Sequence, residues 1–82
     1  MGVTKIKKSL IKGKPEIRFL QELSTGALVF EIITSKYETA GHILCYGTDI
    51  KIIVSQFYIL SHEDELSLRE KVKTFCEIID SF

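Results

Sequence analysis

The stretch from Gly26 to Val54 decides how the fold is read. It runs Gly-Ala-Leu-Val-Phe-Glu-Ile-Ile-Thr-Ser-Lys from Gly26, then Tyr-Glu-Thr-Ala-Gly-His-Ile-Leu-Cys-Tyr-Gly from Tyr37, then Thr-Asp-Ile-Lys-Ile-Ile-Val from Thr48. Two apolar runs flank a middle piece whose Tyr37, Ala40, Gly41 and Leu44 recur at spacings of three and four. Those spacings put them on one stripe of a helix, with Ile43 beside it. Gly47 then reads as a helix stop, because glycine accepts the left-handed conformation at that position. A short helix between two strands predicts a parallel crossover, and hence a sheet with a helix packed on it.

Outward from that stretch, the flanks add further elements. Upstream, Glu16 to Leu23 alternates, with Ile17, Phe19 and Leu23 on one face and Arg18 and Glu22 on the other. Ser24-Thr25-Gly26 is a turn, which predicts antiparallel pairing with the strand Ala27 to Ser35. In that strand Leu28, Phe30 and Ile32 face one way while Val29 and Ile33 face the other with Glu31, the pattern of a central strand. Downstream, Ile50, Ile52 and Val54 oppose Lys51, Ile53 and Ser55, and residues 56–60 extend that strand or form another. The last element is a helix: Leu68, Val72, Phe75, Cys76 and Ile79 recur at helical spacing. Ser61 or Asp64 can cap it. The expected order is β-β-α-β-(β)-α. That makes an α+β domain, a small mixed sheet of three to four strands with two helices on one face, ferredoxin-like or related.

The whole chain limits what this domain can do. At 82 residues it holds one domain, here residues 15–82 behind a basic N-terminal arm, residues 1–14. A chain of this size buries only about 60–65% of its unfolded surface. No run approaches the roughly 20 apolar residues of a membrane span, and the lysines at the start precede no apolar leader. The expected compartment is the cytoplasm. Cys45 and Cys76 both fall in apolar stretches of expected helices, where reduced, buried thiols are the plain reading and a helix-to-helix disulfide the other.

Net charge is zero but unevenly spread. Lys5, Lys7, Lys8, Lys12, Lys14 and Arg18 oppose only Glu16 in residues 1–18, whereas residues 61–82 are acidic. A basic segment can track a phosphate backbone, although no aromatic residue is interleaved before Phe19 to stack on bases.

Catalytic motifs are absent. There is no glycine-rich phosphate loop. His42 and Cys45 sit three residues apart without a second ligand pair for zinc. His62, Glu63 and Asp64 are adjacent on a helix start and do not converge. No cofactor, metal or small-molecule substrate is expected, and an enzyme is the least favoured class.

The opening glycine, the apolar strand, the short middle element with Leu44 and Gly47, the strand with Ile52 and Val54, and the final helix with Leu68 and Val72 together resemble the C-terminal extension of WYL-domain bacterial transcription regulators. The family usually has a proline after the last strand, where this chain has Ser55-Gln56-Phe57. The resemblance implies a regulatory or self-association module linked to transcription control, and lends no catalytic residue.

Three functions are therefore weighed. The first is a non-enzymatic module that binds protein, chiefly a second copy of itself, through an apolar stripe of Val29, Ile33 and Ile53 on the uncovered sheet face. The second is a small nucleic-acid binder using the lysine-rich arm and Arg18. The third is an inhibitor from a phage or other mobile element that docks on a host protein.

Overall fold

The computed structural model describes residues 8–80. Seven elements follow in chain order: β1 (Ser9–Leu10), β2 (Glu16–Glu22), β3 (Leu28–Ile33), β4 (Thr39–Tyr46), β5 (Asp49–Val54), β6 (Tyr58–Ile59) and α1 (His62–Asp80). Strands β2-β3-β4-β5 form a four-stranded meander, antiparallel throughout. β1 and β6 form a separate two-stranded parallel pair.

The expected short helix is β4. The order β-β-α-β-(β)-α with two helices is therefore corrected to a sheet of consecutive hairpins under one helix, and the ferredoxin-like reading goes with it. The strands flanking residues 37–46 do not lie side by side in parallel; each pairs antiparallel with β4 between them.

The physical reason lies in one extra residue. Ile32 pairs with Gly41 and Ile33 with Thr39, so Ala40 is a bulge. The bulge buries Ala40 and Gly41 side by side. Beyond it the strand alternates: Ile43 and Cys45 point inward, while His42 and Tyr46 are exposed. Two adjacent buried positions followed by an apolar residue three further on imitate a helical stripe.

Gly41 is needed for a close approach, but of strand to strand. A Cβ there would meet the Ile53 carbonyl oxygen, and Val54 Cα at 3.0 Å. Gly47 does adopt positive φ, 60°, in the service of a hairpin. Gly47-Thr48 joins Tyr46 to its partner Asp49 as a two-residue turn with glycine first.

The β2–β3 and β3–β4 hairpins share another turn. Each closes over three residues with the last at positive φ, Gly26 at 91° and Tyr37 at 63°. Leu23 N–H donates to Ala27 O in one, and Thr34 N–H to Glu38 O in the other. Thr34 Oγ1 steadies the second by accepting from the amides of Lys36 and Glu38.

α1 begins at a cap, Ser61 Oγ accepting from the Asp64 amide at 3.1 Å. Glu63, Asp64 and Glu65 then line its positive end. Its Leu68 and Val72 are fully buried against Phe30, Ile32, Ile43 and Cys45. Phe19, Phe30 and Phe75 make an aromatic corner with centroids 5.1–5.7 Å apart. Arg69 Nη1 donates to the Ile50 carbonyl at 2.8 Å, and Lys71 bridges to the Pro15 carbonyl and the Glu16 carboxylate.

Of the basic segment, residues 1–7 lie outside the described residues. Ser9 and Leu10 pair with Tyr58 and Ile59, and Ile11 enters the core at 7% exposure.

Candidate interaction surface

α1 covers one face of the sheet. The core cluster shows which: Leu28, Phe30 and Ile32 of β3, Ile43 and Cys45 of β4, Ile50 and Ile52 of β5, and Ile17 of β2. Alternation along each strand sends the remaining side chains to the opposite face. Val29, Ile33 and Ile53 all lie there, and none of them belongs to the core cluster.

The register orders this open face into rows. Gln21, Val29, Leu44 and Lys51 follow one another across the four strands. Arg18, Glu31, His42 and Ile53 form the next row, and Glu16, Ile33 and Thr39 the one beyond. The spacing of Leu44 predicts a helical stripe; as part of β4 it stands beside Val29 and joins the apolar patch. The two-residue Gly-Thr turn between apolar runs was the signal that could have placed it.

Exposure is graded across the patch. Val29 is 9% exposed, Ile33 and Leu44 are half-buried, and Ile53 is 46% exposed. Arg18 and Glu31 close an ion pair at 3.2 Å within this face. Their charges cancel locally, which leaves Lys51 near the β5 border and the exposed His42.

The same pair bears on Arg18 as a nucleic-acid contact, since Glu31 offsets its charge. Lys8, Lys12 and Lys14 are exposed; Lys5 and Lys7 lie outside the described residues. Lys12 lines a shallow depression with Ser9, Thr34, Lys36, Glu38 and Tyr58. There Tyr58 donates to Glu38 at 2.6 Å. That hydrogen bond, with some desolvation and the nearby carboxylate charge, holds the phenol above its ordinary value of 10.0.

Metal-ligating side chains do not converge among the described residues. On a strand, His42 and Cys45 project to opposite faces, so the pair cannot share a metal ion. His62 sits 3.9 Å from Glu65 on the first turns of α1. No group of three or more His, Cys, Asp or Glu side chains placed to hold a metal occurs among the described residues. No helix among them is long and apolar enough to cross a membrane. Comparison with known protein families, with curated protein sequences and with solved structures found no match.

Proposed function

We propose that this chain is a non-enzymatic protein-interaction module that self-associates through the sheet face α1 leaves open. One observation carries the reading. Val29, Ile33, Leu44 and Ile53 turn away from the core cluster on the two inner strands and one edge strand. A sheet that keeps one face in water normally alternates apolar with polar residues. Here Val29 and Leu44 stand side by side, with Ile33 and Ile53 on the same face among polar positions, and burying the exposed part of these four is favourable.

A second copy suits the face electrostatically. With Arg18 and Glu31 neutralising each other, two such faces meet with little like-charge repulsion. A two-fold axis also lets one patch cover its twin.

Size sets the strength. Four strands about 4.8 Å apart and six residues at about 3.4 Å give a flat area of about 400 Å², more once side chains corrugate it. Two such faces together give about 800 Å², below a standard-size interface, so weak association that depends on concentration is expected.

The resemblance to the WYL-regulator extension drew on a short helix that is a strand in this chain. A role in transcription control therefore adds nothing to the proposal, which stops at self-association.

The test is the solution mass of the chain by sedimentation between about 1 and 200 μM. A dimer that dissociates on dilution is expected, and Ile53→Glu should leave a folded monomer across that range. A wild-type monomer at the highest concentration would overturn the proposal and turn attention to a foreign protein or to nucleic acid.

A further inference from the structure

We infer that Cys45 and Cys76 form a modification site, a dithiol that a two-electron oxidant converts into a disulfide fastening α1 to β4. This goes beyond the self-association reading and uses residues on the other face of the sheet.

The geometry comes first. The two sulfurs are 3.3 Å apart although the residues are separated by 31 positions in sequence. A disulfide holds its sulfurs at about 2.05 Å, so closure asks for about 1.3 Å of movement. Cys45 is 4% exposed and Cys76 half-buried. The Cys45 thiol leans on the Gly47 carbonyl at 3.7 Å.

Access comes second. Two shallow depressions meet at the pair. One is lined by Glu22, Gly26, Gly47 and Ile79 as well as the cysteines, the other by Thr48, Ile50, Lys73 and Glu77. A small oxidant therefore reaches Cys76 from the surface, while Cys45 waits beneath it.

The chemistry balances with a peroxide as oxidant. The Cys76 sulfur attacks one peroxide oxygen; the O–O bond breaks and Cys76 becomes a sulfenic acid, with one water released after proton transfer. The Cys45 sulfur then attacks the sulfenic sulfur. The S–O bond breaks, the S–S bond forms, and the second water leaves with the Cys45 proton. Two thiols are oxidised by two electrons and one peroxide is reduced to two waters. Oxidised glutathione reaches the same product by thiol–disulfide exchange, with Cys76 first carrying the mixed disulfide.

A cross-link over this span constrains the unfolded chain. Its effect is to hold α1 on the sheet when heat would otherwise release it.

The full-length chain should be treated, folded, with hydrogen peroxide and separately with oxidised glutathione, then alkylated and weighed intact. The expected product has lost two hydrogen atoms, takes up no alkylating agent, and melts more than about 10 °C above the reduced protein. Cys76→Ser, checked for folding by circular dichroism, should show neither the mass loss nor the shift. Three results would overturn the inference: an unchanged mass, an adduct retained on Cys76 with Cys45 still alkylated, or chains linked to one another. An internal bridge that lowers the melting temperature would overturn it as well, because the pair would then be strained rather than poised.

Discussion

The face of the sheet under α1 and the face turned away from it are built from alternate residues of the same strands. Under the helix, Phe30, Ile32 and Ile43 are fully buried and meet Leu68 and Val72. On the other side, Val29 is itself buried although it is not part of the cluster under α1, and Ile53 is 46% exposed. The covered face is closed by a second layer of the same chain. Among the described residues, the open face carries no second layer, and the Arg18–Glu31 pair lies across it. The contrast separates the residues that fold the chain from those the proposed association would bury, since apolar burial would drive both.

Substitutions on the two faces should therefore fail differently. The largest effect belongs to the covered face. Phe30→Ala removes a fully buried ring that touches both Phe19 and Phe75. It should cost about 3–5 kcal/mol in urea unfolding, enough to leave a small domain barely folded. A cost under about 1 kcal/mol would mean that Phe30 is not the centre of the core.

Next comes the seam between β4 and β5. At Gly41→Ala the new methyl meets backbone that cannot swing aside, and about 2 kcal/mol of destabilisation is expected in the same assay. A neutral result would show that the strands sit further apart there.

Ile53→Glu sharpens the comparison from the other side. Measured on the monomer, stability should move by no more than about 0.5 kcal/mol, while the dissociation constant rises at least about tenfold. Equal losses in both would place Ile53 in the fold rather than in the interface.

The smallest effect lies off both faces, at Tyr58. Its phenol is held above 10.0 by the hydrogen bond to Glu38, so the contact stabilises the fold below the ordinary tyrosine value. That contribution disappears as pH rises through the raised one. Tyr58→Phe should flatten this alkaline loss and change little at neutral pH, because the hydroxyl faces solvent. Melting temperatures from pH 8 to pH 11 would show it.

How much of this the sequence disclosed follows from where alternation stays unbroken. β3 alternates cleanly from Leu28 to Ile33, so Val29 and Ile33 could be assigned to one face in advance, and β5 gave Ile53 in the same way. α1 was legible because Leu68, Val72, Phe75 and Cys76 keep helical spacing with a serine ahead of them. β4 was not, because the bulge at Ala40 shifts its alternation by one residue and lays down a false helical stripe. Gly47 could not arbitrate. A helix stop and a two-residue hairpin both ask for positive φ, so the same glycine satisfies the wrong fold as well as the right one. Leu44 was lost from the candidate surface for that reason. The nearness of Cys45 to Cys76 stood in the sequence only as the second of two readings, and between two helices, since it follows from β4 lying under α1 and from no local pattern.

Arg69 has a consequence for the shape of any assembly. By reaching over to hold the Ile50 carbonyl, it occupies one of the outward hydrogen-bonding groups along the rim of β5, where an incoming strand would otherwise zip on. The opposite rim, β2, is interrupted by its own irregularity around Leu20. Sideways growth, strand added to strand, is hindered at Ile50 on one margin and around Leu20 on the other, which favours contact through the flat of the sheet over extension into a fibre.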